Sequence, residues 1–377
     1  MWPGSPTGVS AGADELFGAR DSGVGRPRRR WPAEWEDHRA TWLSWPHNNE
    51  TWPGRLAAVE DAFVEIVRTV LPGEAVEIHV LDQAMAGRVR ERLKQGGVEE
   101  TEALRLHVVP TDDAWIRDHG GVFVVEGQGE GSARHLIDFG FDAWGGKYPP
   151  WDLDARVAGE MARIAGVAST RSERVLEAGS VDGDGEGTIL TTESCLLNPN
   201  RARAGQARSR ASLEDLLAET LGAKKVLWLG EGLQGDDTDG HVDDLTRFIA
   251  PGRVVTVVSS DPADADYAAL AENRRRLETM SDAAGRSLEV IELPAPDPLA
   301  GPEGRLPASY ANFYFANRAL LVPIFGVDQD DEALSIFAEV VPDRPIVGIS
   351  SQHLILGLGA VHCLTQQEPS EGLTRLA

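Results

Sequence analysis

Cysteine is scarce in this chain: Cys195 and Cys363 stand 168 positions apart, too few for a disulfide framework and without the paired spacing of a zinc site. A reducing, cytoplasmic setting is the expectation that follows. Long apolar runs are missing too. No stretch approaches the roughly 18 apolar residues of a membrane span, and the N-terminus lacks the charged-then-apolar order of a secretory signal. Positive charge is outnumbered, 36 Lys and Arg against 60 Asp and Glu, for a net charge of −24. That balance argues against a nucleic-acid partner and suits a cationic one, although solubility alone also accounts for it.

What is present is the composition of a globular protein: 377 residues, 42% hydrophobic and 25% charged. Residues 1–30 are rich in Gly, Pro and Ser, show no apolar periodicity, and read as a disordered tail. The tail ends in the basic run Arg26-Pro27-Arg28-Arg29-Arg30, but its five Arg against three acids leave only +2, a weak field for nucleic acid. Residues 31–370 read as one domain and 371–377 as a C-terminal tail.

Within that domain a theme repeats: a hairpin, a helix, then a strand, that is, a ββαβ unit. Hairpins are expected over Gly121–Phe139, Val181–Thr192, Leu245–Val258 and Asn312–Pro323, where β-branched apolar runs meet at Gly, Pro or Asn turns. Helices are expected over roughly 153–165, 211–221, 264–283 and 330–340, and an earlier one over 54–71 has apolar residues at three-and-four spacing. Apolar strands such as AVEIHVL, KVLWLG, SLEVIELP and PIVGIS follow the helices. Pairing the early strand ATWLSWP (40–46) with the late VHCLT (361–365) supplies the fifth hairpin and closes a ring without exposed sheet edges. The pattern therefore predicts a five-bladed, pseudo-fivefold α/β propeller.

Polar residues crowd at the hairpin entries: Asp112, Asp113, Arg117, Asp118 and His119 before the first, Asp236 to Asp244 before the third, then Ser309–Asn312 and His362–Cys363. Rotation about one axis brings such positions into a single pocket. In GDDTDGHVDD, His241 and Asp243 are two apart, so an extended segment points both to one face, as acid/base and cation anchor. A self-solvating acidic loop is the plain alternative; a calcium loop is disfavoured because EF-hand spacing and its closing Glu are absent. Cys363, in GLGAVHCLTQQEP, follows glycines that permit close backbone approach, and His362 or another nearby His is expected to help keep its sulfur ionised; a buried, inert Cys is the common alternative. Cys195, beside an apolar pair and without an obvious base, is given no catalytic role. A thiolate with several carboxylates and a His suits attack on a guanidinium carbon, which carboxylates bind bidentately while sulfur adds. No metal or cofactor is required, because the substrate brings its own activating charge.

The segments WPAEWEDHRATWLSWPHN, TDDAWIRDHG, DFGFDAWGGKYPPWDLD, GEGTILTTESCLLNPN, GDDTDGHVDDLTRF, LPASYANFY and GLGAVHCLTQQEP resemble the agmatine deiminase family. That family lies within the guanidine-modifying superfamily that also includes bacterial peptidyl-arginine deiminases, and the match spans about residues 31 to 369. The resemblance implies the pentein propeller, Cys363 as nucleophile, His241 as general acid/base, and Asp118 with Asp243 as guanidinium-binding carboxylates. It implies Asp237 as holder of the substrate's far amine, with Glu177, Trp115 and Asn312 lining the pocket. It departs from the family pattern at Gly121, where Pro is usual, at Ala178, where Gly is usual, and in its N-terminal extension. The Ala178 methyl is expected to narrow the pocket or disallow a positive φ. Agmatine hydrolysis to N-carbamoylputrescine is the implied activity, a step of polyamine biosynthesis. A deiminase of arginine or peptidyl-arginine, an amidinotransferase and a non-catalytic polyamine-binding propeller are the alternatives, and a homodimer is expected by analogy alone.

Overall fold

The computed structural model describes residues 28–127, 132–202, 208–302 and 304–370. Five sheets of three or four strands share one construction, and a two-stranded ribbon, Ala300–Gly301 with Gly304–Arg305, stands apart. In each, an antiparallel pair is followed by a helix and then by a strand parallel to the second member of the pair. Strands Val122–Glu126 and Ala133–Gly140 precede helix Val157–Ala165 and strand Ala168–Val175. Strands Val181–Gly183 and Thr188–Thr192 precede helix Arg210–Leu221 and strand Lys225–Leu229. The same order runs through Thr246–Ala250, Arg253–Val258, Tyr267–Leu277 and Glu289–Pro294, and again through Tyr314–Ala316, Ala319–Ile324, Gln329–Val340 and Ile346–Ser350. All four hairpins expected from the sequence are present.

The fifth sheet joins the two ends of the chain, with a shifted partner. His38–Ser44 pairs antiparallel with Gln366–Pro369, Gln366 opposite Trp42 and Glu368 opposite Ala40, and not with 361–365. Residues 361–364 form a turn instead, which presents His362 and Cys363 just ahead of the strand. Helix Leu56–Val70 follows, burying Val59, Phe63, Ile66, Val67 and Val70 on one face, the three-and-four spacing at work. This sheet carries an unforeseen extra helix and strand, Gln83–Gln95 and Leu104–Val108. The helix starts because the Asp82 carboxylate accepts the Met85 amide at 2.7 Å.

The tail expected over 1–30 lies outside the described residues up to position 27, and 371–377 likewise. Its last residues are ordered: Arg29 and Arg30 pair antiparallel with Glu126 and Val125 as an edge strand. Their charges are spent locally, Arg29 on Glu126 at 2.6 Å and Arg30 on Glu36 at 2.5 Å, which removes them from any basic patch. Among the described residues, no helix is long and apolar enough to cross a membrane.

Apolar clusters between sheets and helices form the core, and charged groups are buried where the units meet. Arg247 is the clearest case: it donates to Asp182 at 3.0 Å, to Glu34 at 3.0 Å and to the Phe313 carbonyl at 2.5 Å, while its guanidinium lies over the Phe313 ring. Removing it leaves the buried Asp182 without a cation and takes one of two arginines from Glu34. Arg247→Ala is therefore expected to lose about 3–5 kcal/mol of stability in urea denaturation; a variant as stable as the parent contradicts this account of the junction.

Candidate active site

The expected site residues occupy hairpin entries. Trp115 precedes the short helix Ile116–His119, and Glu177 the 3-10 turn Ala178–Ser180. His241 precedes the 3-10 turn Val242–Asp244, while Asn312 and Cys363 lie just before Tyr314 and Gln366. The extended segment expected around His241 and Asp243 is thus a turn, yet the two still face each other, Nδ1 to Oδ1 at 4.0 Å.

Four groups converge. Asp118 Oδ1 stands 3.8 Å from His241 Nδ1, and the Cys363 thiol lies 3.8 Å from Asp243 Oδ2 and 3.2 Å from the Asn312 amide nitrogen. Asp118 is fixed by the Gly179 amide at 3.1 Å and by the Trp144 indole N–H at 3.0 Å. Gly179 has to be glycine. A Cβ there would stand 2.6 Å from His241 Nδ1, 2.8 Å from Asp118 Oδ1 and 3.1 Å from Asp243 Oδ2, inside the reacting space. Gly359 plays the same part between the Trp115 ring and Cys363. Asn312 donates to Asp244 at 3.0 Å as well as to the thiol, and its carbonyl oxygen accepts the His362 amide at 2.9 Å.

Electrostatics follow from burial among carboxylates. Burial first, then Asp243, Asp244 and Asp118, push the Cys363 thiol well above its ordinary range, so the resting sulfur is protonated. His241 is raised as well: burial opposes its charge, but Asp118, Cys195 and Asp243 outweigh burial and hold the imidazole protonated well above its usual range. Asp118 is raised by burial and by Asp243 and Glu177 against the pull of His241. Asp243 is held low, since His362, His241 and Arg247 overcome its burial. Both His241 ring nitrogens and Asp243 Oδ1 are buried without a hydrogen-bond partner, a cost that an incoming group with N–H donors offsets at the carboxylate.

The second-rank residues divide. Trp115 packs against Trp52, ring centroids 5.2 Å apart, and walls the thiol. Glu177 is fully buried and bonded to Arg201 at 3.0 Å, close to His241 rather than open to a pocket. Asp237 sits at the rim, where the Tyr148 hydroxyl and Lys147 reach it from the 142–151 strap; burial, partly offset by Tyr148, raises its carboxyl to about 6.

Three residues depart from what the sequence suggested. His362 does not serve the sulfur: its Nδ1 and Nε2 are taken up by Asp243 and Glu34 at 2.6 and 2.9 Å. Cys195 does have a base nearby, since its sulfur, a Glu177 oxygen and a His241 nitrogen lie within 4.8 Å of one another. Such a trio has the makings of a metal site, but the Arg201 guanidinium already neutralises Glu177, so we read it as the wall behind His241. Ala178 narrows nothing. Its φ is not positive, and its methyl joins the apolar cluster of Leu176, Val181 and Cys195. Gly121 faces Leu136, which a Cβ would meet at 2.3 Å.

Residues missed by sequence reasoning include Glu34, Trp144 and Arg201. Trp144 sits at φ 56 in the turn Ala143–Gly146, and only the paired glycines of AWGGK hinted at that geometry.

Residues 30–369 match the family described as Porphyromonas-type peptidyl-arginine deiminase. The chain belongs to this family. It is 37% identical to an agmatine deiminase of Ectopseudomonas mendocina over 362 residues, 90% of this chain and 95% of that one, and 35% identical to one of Pseudomonas aeruginosa with the same coverage. Among solved structures, Enterococcus faecalis agmatine deiminase superposes with a TM-score of 0.83 at 34% identity, covering 92% of this chain and 98% of its own. A substrate-bound agmatine deiminase of C. jejuni gives 0.81 at 30%, covering 92% and 98%. The mixed α/β fold is therefore that of the agmatine and peptidyl-arginine deiminases.

For this family member, Gly179→Ala is expected to lower kcat about a hundredfold or more with little change in thermal stability, by displacing His241 and Asp118 from the substrate. Kinetics and a melting curve on the same preparation check it; near-normal turnover would mean that the crowding is relieved elsewhere.

Proposed function

We propose that the protein is an agmatine deiminase, converting agmatine and water to N-carbamoylputrescine and ammonia in the cytoplasm, with Cys363 as nucleophile. The observation that carries this is a buried thiol grouped with an Asp243 Oδ1 that lacks a hydrogen-bond donor, with Asp118 and with a protonated His241, a set complementary to a planar cation. Five ββαβ units arranged as one pseudo-fivefold propeller over residues 31–370 account for how five distant hairpin entries meet.

In this reading Asp118 and Asp243 hold the guanidinium. Its positive charge offsets the carboxylates that keep the thiol protonated, so the sulfur ionises, releasing its proton to solvent, as substrate binds. The thiolate forms a bond to the central carbon, and one C–N bond breaks as His241 delivers its proton to the leaving ammonia. His241, now neutral, takes a proton from water. The resulting hydroxide adds to the carbon, and collapse breaks the C–S bond as the hydroxyl proton passes to the departing sulfur, giving the urea product and the resting thiol.

Substrate choice falls to the rim. Asp239 is already paired with Lys147 and Arg201, whereas the Asp237 carboxyl accepts only from a neutral group, the Tyr148 hydroxyl, and is the one placed to attract a terminal amine and repel the α-carboxylate of free arginine. Tyr148 and Lys147 close over that rim, leaving a short unbranched tail better placed than a polypeptide.

Ammonia release from agmatine, arginine and a short arginyl peptide at equal concentration tests the proposal. Agmatine is expected to lead by at least about tenfold, the worth of one charged contact; release from arginine or the peptide alone contradicts it. Cys363→Ser is expected to be inactive yet folded, and substantial residual turnover would refute covalent catalysis at this sulfur.

The pH dependence of alkylation reports the thiol. A neutral haloacetamide is expected to label Cys363 slowly at pH 7 and faster as pH rises toward the raised pKa of the thiol, whereas an amidinium-bearing haloacetamidine labels it rapidly already at pH 7. Turnover, which needs protonated His241, is lost at high pH instead, as the raised pKa of that imidazole is passed. Equal labelling by both reagents at neutral pH rules out activation by the bound cation.

A further inference from the structure

Every nitrogen and oxygen along one buried row is accounted for except the last. Glu34, in the segment that leads into the first long strand, accepts at Oε1 from the Phe315 amide at 2.9 Å and from Arg247 at 3.0 Å. Its Oε2 meets Arg117 at 3.3 Å and His362 Nε2 at 2.9 Å. The far side of the same imidazole, Nδ1, meets Asp243 Oδ2 at 2.6 Å. The partner oxygen, Asp243 Oδ1, is buried without a hydrogen-bond donor, its nearest charged neighbour being His241 Nδ1 at 4.0 Å. The backbone of His362 is pinned independently, its amide donating to Asn312 Oδ1 at 2.9 Å.

A carboxylate alone rotates about its terminal bond and presents either oxygen. Here the 2.6 Å bond fixes the rotation: Oδ2 is held between His362 and the Cys363 thiol, 3.8 Å from the sulfur, and Oδ1 is turned toward His241 without a hydrogen-bond donor of its own. A neutral imidazole carries one N–H, so bonding both carboxylates at once takes the doubly protonated ring. Glu34 is in turn immobile, because two arginines and a backbone amide hold it.

We propose that His362 is a positioning residue, gripped by Glu34, that locks Asp243 so that Oδ1 faces the substrate guanidinium. The N-terminal segment at Glu34 thereby becomes part of the binding site without touching substrate. The inference rests on reading the cavity as a guanidinium site.

The two ring bonds are separable by substitution. The amide nitrogen of Asn reaches roughly where His Nδ1 stands, and that of Gln where Nε2 stands. His362→Asn therefore keeps the bond to Asp243 and loses the one to Glu34, and His362→Gln does the reverse. Agmatine binding is measured by calorimetry in a Cys363→Ser background, with thermal unfolding of each protein alongside. His362→Gln is expected to weaken binding by about tenfold or more, the effect of a lost charge-assisted bond, and His362→Asn by no more than about threefold. If His362 were only a structural tie, the order would follow the melting temperatures and not the bond retained. Equal binding by both variants and the parent, or rescue by Gln but not Asn, overturns the proposal. Failure of agmatine to bind the Cys363→Ser protein with His362 intact overturns the guanidinium reading itself, a distinct result.

Discussion

Charge burial is the constraint on which this structure turns. Glu34, Asp118, Glu177, Asp182, Asp243 and Asp244 are all buried, Asp118, Asp243 and Asp244 acting directly on the thiol, and each isolated carboxylate in such a place costs several kcal/mol. The chain meets that cost with Arg117, Arg201 and Arg247, each almost fully buried, and with two imidazoles, His241 and His362. Compensation is uneven. Glu34 and Glu177 are pulled well into the ionised range by their arginines, whereas Asp118 and Asp244 are pushed the other way. Beside the thiol, Asp243 is held ionised by His362 and His241, while Asp118 and Asp244 are left short of positive charge.

That shortage explains the chemistry. A thiol facing under-compensated carboxylates resists ionisation, which protects it from neutral electrophiles, and a cation entering the same space supplies what is missing. Binding and activation then become one event. The neighbouring His241 is held protonated by the same surplus of negative charge, so an acid is ready before the nucleophile exists. A single field sets both protonation states.

Geometry at the site is built mostly from backbone. Gly179 and Gly359 let main chain pass where a methyl would displace His241 or Cys363, and Asn312 ties the His362 amide to Asp244 and the thiol. These positions sit at the mouths of separate hairpins, each anchored by its own parallel strand and helix, so rigid units hold a pocket made of loops.

Much of this was legible in the sequence because hydrophobic periodicity is local. The four internal hairpins and the helix burying Val59, Phe63 and Val67 are written in runs of a few residues, and the resemblance located Cys363, His241, Asp118 and Asp243 from motifs around them. Shifts of register were not legible: the closing strand begins at Gln366 and not at Val361, because its partner, His38–Ser44, lies more than three hundred residues away. Nor were the partners of the buried ions. Nothing local links Glu34 to His362, Arg201 to Glu177, or Cys195 to His241, and the inert placing of Ala178 follows from neighbours supplied by other segments. The sequence by itself determined the repeating unit and the chemical types present; only the tertiary structure decided which charge neutralises which, because Coulomb and hydrogen-bond energies depend on distances of a few ångströms that chain order does not specify.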